Sequence, residues 1–290
     1  KSAERLEKIS ISKRKIYKYL GLSRNNAKPS EQKFKDEKLK QAILEARLKH
    51  PNYGTDRICT YLGLSRSVVH RVIKKFNLQV RRKRKAIFKP EDQNFKALKI
   101  PNLTKNLKAL APNTVWASDF TYLKFQSRHY YLATYIDLFT REILAWNLSD
   151  IHDTDFILAT FKKAVKNAGT YPSICHSDQG SEYRSQAYIE ILESCGVKVS
   201  MSPKASPWRN GFQESYYRGF KEDLGNVKEF NSIGELIEAI ARTINYYNKD
   251  RIHSALKMTP TQFRTNFLNK KYARSNEQQA LIIPLHKVTS

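Results

Sequence analysis

The chain has 290 residues, enough for a catalytic domain of ordinary size plus one or two small modules. Its 52 Lys and Arg against 27 Asp and Glu give a formal charge of +25, which weighs against a typical metabolic enzyme and points to a polyanionic partner, nucleic acid first. Cys59, Cys175 and Cys195 are too few and too scattered for a disulfide framework or a four-cysteine zinc site. No apolar run approaches the ~20 residues of a membrane span, and the N-terminus has no signal-peptide pattern, so the expected location is the cytoplasm, at the nucleoid, with no membrane partner.

Charge is unevenly spread: residues 1–100 carry 28 basic and 9 acidic side chains, so +19 of the +25 lies in the first third. Residues 1–30 read as a basic helical segment, either a first rudimentary helix-turn-helix or a solvated arm. From Lys33 to Leu48 the spacing of Phe34, Leu39, Ile43, Leu44 and Leu48 predicts an amphipathic helix. Asp56 to Leu62, a Gly63-Leu64 turn, and Ser65 capping Arg66 to Phe76 complete a helix-turn-helix within residues 31–85. Its second helix would present Arg66, Ser67, His70, Arg71 and Lys74 to a major groove. The run Arg81, Arg82, Lys83, Arg84 and Lys85 behind it would neutralise phosphates. Three short helices also occur in domains that bind no DNA, and the basic run is what favours DNA here. Residues 86–111, with Pro90 and Pro101 and no periodicity, read as a linker.

From residue 112 the pattern changes. Val115 to Phe125, Tyr130 to Leu138 and Glu142 to Leu148 alternate as strands joined by short polar connections, which suits an antiparallel meander. A helix is expected at Thr154 to Asn167, a strand at Ser173 to His176, a helix at Ser185 to Cys195, a strand at Lys198 to Met201, and then a helix containing Glu214. Helical spacing returns from Ile233 to Tyr247. Residues 268–290 read as a tail without an assigned role. The expected class is α/β: an RNase H-like mixed five-stranded sheet with helices over residues 112–267, preceded by small all-α helix-turn-helix modules.

Three acids stand out in this second part. Asp119 falls in mid-strand, sharing a face with Ala117 and Thr121, where a carboxylate is costly unless paired or bound to a cation. Asp178 ends the next core strand in His176-Ser177-Asp178-Gln179-Gly180, and 35 residues separate it from Glu214. Glu214 shares a helix face with Arg218 and Lys221, so one face offers both a metal ligand and phosphate-binding cations. Oxygen ligands without Cys or paired His suit Mg²⁺ or Mn²⁺. Two such ions per site could clamp the attacking and leaving oxygens of a displacement at phosphorus. Asp137 and Glu182 read either as groups that support the site's acids from behind or as simple turn residues, the turn reading being favoured, and His176 as a neighbour of the site.

The spacing, with Pro112-Asn113-Thr114-Val115-Trp116, Ser177-Asp178-Gln179-Gly180-Ser181 and Arg251-Ile252-His253-Ser254-Ala255-Leu256, resembles the OrfB-type transposases of two-reading-frame insertion sequences and their retroviral-integrase-like D, D-35-E core. The resemblance runs from about Lys33 to Phe263. It implies an RNase H-like fold, metal-dependent cleavage at element ends, and attack of the freed 3′-OH on target DNA. It also implies double-stranded DNA as partner and an assembly of at least two copies. Arg218, Lys221, Arg251 and His253 are then candidate phosphate contacts. Arg209 stands where many relatives carry an acid, so no role is transferred to that position. Two alternatives use the same residues: an RNase H-like nuclease that never joins, and a domesticated DNA-binding regulator with an inert core.

Overall fold

The computed structural model describes residues 29–80, 100–104, 109–202 and 211–280. The expected first helix-turn-helix, the basic run Arg81 to Lys85, most of the linker and the Trp208-Arg209 loop lie outside the described residues. The chain divides into two compact units, residues 1–83 and 84–290.

The first unit contains α1 (Pro29–Lys49), α2 (Thr55–Leu62) and α3 (Arg66–Lys75). Ile43 and Ala46 of α1, Tyr53 before α2, Ile58, and Val69, Val72 and Ile73 of α3 form its core. The turn between α2 and α3 needs Gly63, whose φ of 65° returns its N–H to Cys59 O. Ser65 occupies the N-cap position of α3, but its hydroxyl makes no capping bond and lies 3.2 Å from that of Ser67. Asp36 is buried and accepts from Arg71 at 2.7 Å and Lys75 at 2.8 Å, tying α3 to α1.

In the second unit a hairpin and a third strand, β1 (Val115–Phe125), β2 (Arg128–Asp137) and β3 (Ile143–Ser149), come first. They are followed by α4 (Thr154–Ala168), β4 (Ile174–Ser177), α5 (Gln186–Ser194), β5 (Lys198–Met201), α6 (Gly211–Leu224), α7 (Ile233–Lys249) and α8 (Pro260–Ala280). The five strands lie in the order β3-β2-β1-β4-β5. β1–β2 and β2–β3 are antiparallel; β1–β4 and β4–β5 are parallel. The expected mixed five-stranded sheet is present, because alternating strands joined by short turns pair with their neighbours, while a helix between strands forces a parallel crossover.

Strand alternation divides the core into two layers. Trp116, Ala133, Tyr135 and Cys175 face one way and pack with Phe161, Tyr188 and Leu192 of α4 and α5. Ala117, Leu123, Leu132 and Ile136 face the other way and pack with Tyr216, Tyr217 and Phe220 of α6 and with Ile240 and Tyr247 of α7. Side-chain caps start the helices where expected: Asp153 accepts from Phe156 N–H, Ser185 from Tyr188 N–H and Ser232 from Glu235 N–H. At the start of the outer strand β3, side-chain amides take up backbone groups of Ile143 and Leu144. Asn248 both donates to Ile143 O and accepts from Ile143 N–H at 2.9 Å, and Asn167 donates to Leu144 O at 2.7 Å.

One expectation is corrected at the C-terminal end. α8 runs through residue 267 as far as Ala280, so the core helix and the start of the expected tail are one element. Phe263 and Phe267 pack on Phe139 at 5.2 and 4.9 Å, and Arg264 pairs with Glu142 at 3.1 Å. The sequence hides this helix because it is polar apart from that narrow stripe.

Candidate active site

Asp119 and Asp178 are brought together by strand register. In the parallel β1–β4 pair, Val115 stands beside Ile174, Trp116 beside Cys175 and Ala117 beside His176, an offset of 176 − 117 = 59. The same offset carries Asp119 to residue 119 + 59 = 178, just past the end of β4. Neighbouring strands lie about 4.8 Å apart, so two carboxylates at adjacent strand positions lie close together on the same side of the sheet. Asp119 lies on the face of β1 that looks toward α6.

The loop after β4 is fitted around Asp178. Gly180 N–H donates to Asp178 Oδ1 at 3.0 Å. A Cβ at Gly180 would stand 2.8 Å from Glu182 Oε2 and 3.2 Å from Asp178 Oδ1, so any larger residue there must displace one or both carboxylates. Glu182 is buried and its Oε1 meets His152 Nδ1 at 2.5 Å. The His152 ring stacks on Phe120 at 5.5 Å and tilts against Tyr131 at 4.3 Å. Glu182 is therefore more than a turn residue: it is a buried acid next to the Asp178 loop. Asp137 does serve its turn, its Oδ1 accepting from the N–H groups of Phe139 and Thr140 and its Oδ2 from that of Asn113.

Glu214 comes from α6, which is fastened along β1 by a row of polar side chains at a spacing of four. Gln213 is fully buried and donates from Nε2 to Ala117 O at 2.8 Å. The Tyr217 hydroxyl donates to Asp119 O at 2.5 Å and lies 2.9 Å from the hydroxyl of Thr134. Lys221 Nζ donates to Tyr122 O at 3.1 Å and sits 5.1 Å above its ring. Sequence reasoning overlooked Gln213 and Tyr217. Their signal was polar residues recurring at i, i+4 and i+8 on a face that the helical pattern buries.

Electrostatics ties the acids together. Burial pushes the Asp119 carboxyl from an ordinary 3.8 up to about 8, helped by the charges of Asp178 and Glu214 and opposed by the Phe120 N–H that donates to Oδ1 at 2.8 Å. Asp178 opens to solvent, yet the protein around it raises its carboxyl too, with Glu182 adding to the rise and Gly180 N–H and Arg184 opposing it. Glu214 is exposed in the first turn of α6. Among the described residues, no three His, Cys, Asp or Glu side chains stand close enough to enclose a metal ion. The three acids share one electrostatic neighbourhood without closing on a point, as like charges do without a counter-charge. A divalent cation fits that donor set: oxygen-only ligands, and a half-buried carboxyl whose ionised form is favoured by positive charge beside it.

His176 is a neighbour and not part of this cluster. Its Nδ1 and Nε2 each lie 2.9 Å from the hydroxyls of Ser200 and Ser202, and burial lowers its pKa to about 4, so the ring is neutral.

The expected DNA contacts fare unequally. Arg218 is exposed on α6, and Lys221 is partly engaged with Tyr122. Arg251 is 7% exposed and pairs with Asp223 at 2.8 Å. His253 is half-buried in a turn, its N–H donating to Met258 O at 2.9 Å. On α3, Arg66, Ser67, His70 and Lys74 are exposed, with Arg66 2.8 Å from Asp56. Arg71 is exposed as well, with one guanidinium nitrogen 2.7 Å from Asp36.

A sheet in this order, with one acid inside the central strand, one just past the end of its parallel neighbour and one on the helix fastened to that central strand, defines an RNase H-like polynucleotidyl transferase core. Residues 109–207 and 195–260 match the integrase core domain family in two successive parts. The transposase for insertion sequence element IS904 of Lactococcus lactis is 34% identical over 237 residues, 79% of this chain and 94% of that protein. The uncharacterized 31 kDa protein of insertion element IS600 from Shigella sonnei is 32% identical over 250 residues, 82% of this chain and 91% of that protein. The simian T-cell lymphotropic virus intasome, solved in complex with PP2A regulatory subunit B56 gamma, aligns with a TM-score of 0.50 at 19% identity, covering 77% of this chain and 73% of that one, a likeness of fold. The chain belongs to the insertion-sequence transposases with an integrase core. It is a DNA transposase of the DDE type.

Proposed function

We propose that Asp119, Asp178 and Glu214 are the metal-binding acids of this transposase, and that the site cuts the ends of its element and joins the freed 3′-OH to target DNA. The observation that carries this reading is geometric: the β1–β4 register leads from Asp119 to Asp178, and the helix bearing Glu214 is fastened to β1 at Ala117 O and Asp119 O. Asp119 is half-buried there with its carboxyl pushed up to about 8, and such an acid is unstable as an anion unless a cation joins it. When bound, two Mg²⁺ or Mn²⁺ ions would stabilise the attacking and leaving oxygens of an in-line displacement at phosphorus.

The chain's own residues do the rest. Gly180 lets the Asp178 loop close on its carboxylate, Gln213 and Tyr217 hold α6 against β1, and the exposed Arg218 is positioned to meet a phosphate. The helix-turn-helix presents Arg66, Ser67, His70 and Lys74 to the terminal repeats, with the run Arg81 to Lys85 adding phosphate contacts. At least two copies would act together, since two element ends must be joined to one target. Among the described residues, no helix is long and apolar enough to cross a membrane.

The test is incubation of the full chain with labelled element ends, target plasmid and Mg²⁺, followed by mapping of the products. Expected are a nicked end bearing a 3′-OH and a joined product, both lost in Asp119→Asn, Asp178→Asn and Glu214→Gln while DNA binding survives. Cleavage without joining would indicate the simple nuclease. Full activity in any of the three variants would remove that acid from the site.

A further inference from the structure

Arg251 follows α7, where the N–H groups of Asp250 and Arg251 both donate to Tyr246 O at 2.9 and 2.8 Å. From that turn its guanidinium reaches α6. Nε lies 2.8 Å from Asp223 Oδ2, and both side chains are 7% exposed. Its Nη2 and Nη1 lie 2.9 and 3.2 Å from where a Cβ at Gly219 would stand. Gly219 and Asp223 are four residues apart and so share one face of α6. That face differs from the one on which Gln213, Tyr217 and Lys221 bind the backbone of β1. Tyr216 and Tyr247 close the same region, their rings 4.9 Å apart.

α6 is held on the sheet by that row of hydrogen bonds and by Tyr216, Tyr217 and Phe220 in the core, and its face at Gly219 and Asp223 lies to one side of the row. The sheet-facing row fixes where α6 crosses β1, and the Arg251–Asp223 pair seated at Gly219 opposes roll of the helix about its axis. Roll matters for Glu214, because a carboxylate ligand must reach a small cation with little tolerance in distance.

Resting on the reading that Glu214 binds metal, we propose that Arg251 is a positioning residue for that acid: its buried pair with Asp223, seated in the notch at Gly219, sets the roll of α6. Its positive charge, which from sequence suggested a phosphate contact, instead serves the third carboxylate from behind.

The experiment uses the full-length protein with Arg251→Met, Gly219→Ala and Glu214→Gln. Mn²⁺ binding is followed by electron paramagnetic resonance. Mg²⁺-dependent cleavage of an element-end duplex and DNA affinity by fluorescence anisotropy in Ca²⁺ at several salt concentrations accompany it. Arg251→Met is expected to weaken Mn²⁺ binding and raise the Mg²⁺ midpoint of cleavage about tenfold, as removal of supporting groups around a metal site does. DNA affinity and its salt slope should stay at parental values. Gly219→Ala should reproduce the shift without removing a charge, and it decides the matter if Arg251→Met does not fold. A weaker, flatter salt dependence in Arg251→Met would overturn the proposal in favour of a phosphate contact. Parental metal binding in Gly219→Ala, or in a folded Arg251→Met, while Glu214→Gln loses it, would defeat this proposal alone. Parental metal binding in Glu214→Gln would defeat the underlying assignment of Glu214.

Discussion

Replacing Asp119 with Asn should stabilise the metal-free protein while destroying its activity. The Asp119 carboxyl has an ordinary value of 3.8 and about 8 in the folded chain, raised by burial and by neighbouring negative charge. Because the folded value is the higher, the folded protein holds this proton more tightly than the unfolded chain does. Stability contributed by the proton is complete below about pH 4 and falls as pH rises toward 8. At pH 7 the interval from 3.8 is about 3 units, a ceiling of roughly 4 kcal/mol at 1.36 kcal/mol per unit. Solvent access on one side of the carboxyl screens part of this, leaving about 1–3 kcal/mol. For a unit of this size that corresponds to a Tm increase of roughly 5 °C at pH 7. The assay is thermal unfolding of parent and Asp119→Asn from pH 4 to 9 in EDTA, repeated with Mg²⁺. The variant should be the more stable at pH 7–8 without metal, should lack the parent's decline between pH 4 and 8, and should gain less from Mg²⁺ than the parent. Superimposable pH profiles in EDTA would refute the argument, because they would mean that Asp119 carries no unfavourable charge for a cation to relieve.

Gly180→Ala should lower cleavage at least tenfold with little change in Tm, since a Cβ there would meet Glu182 Oε2 at 2.8 Å and displace the Asp178 loop; single-turnover kinetics beside a melt separates the two effects. His176 has a folded pKa of about 4, below its usual 6.5, so it stabilises the fold at neutral pH, and that contribution is lost as pH falls from 6.5 toward 4. His176→Gln should flatten this acid limb in denaturant titrations, and an unchanged limb would assign the loss to other groups. Neutralising Arg81 to Lys85 should weaken DNA binding and reduce the slope of log K against log salt, by about one unit for each phosphate left without its cation. An unchanged slope would show that this run does not touch the backbone.

The strands were legible because each carries its own alternation. Val115 to Phe125 and Lys198 to Met201 form strands with the expected limits, since a slip of one residue would move every side chain into the layer on the opposite face of the sheet. The acids were legible for a different reason: their spacing and neighbouring words resemble the family's D, D-35-E core, and Asp119 in mid-strand is costly unless paired or bound to a cation. Long basic side chains were not. Arg251 and Arg71 reach acids far away in sequence, Asp223 and Asp36, and nothing local distinguishes such an arginine from one that meets solvent or phosphate.

Sequence alone determined the element types, the separation of a basic helical part from an acid-bearing sheet, and the chemical character of the three carboxylates, because these depend on periodicity and residue type along a short stretch of chain. Tertiary structure decided what depends on two distant segments at once. The register that brings Asp178 beside Asp119, the four-residue row by which Gln213 and Tyr217 fasten α6, the close approach at Gly180 and the partners of the buried arginines all arise from packing and pairing across the fold, where geometry and desolvation select among partners that sequence order leaves open.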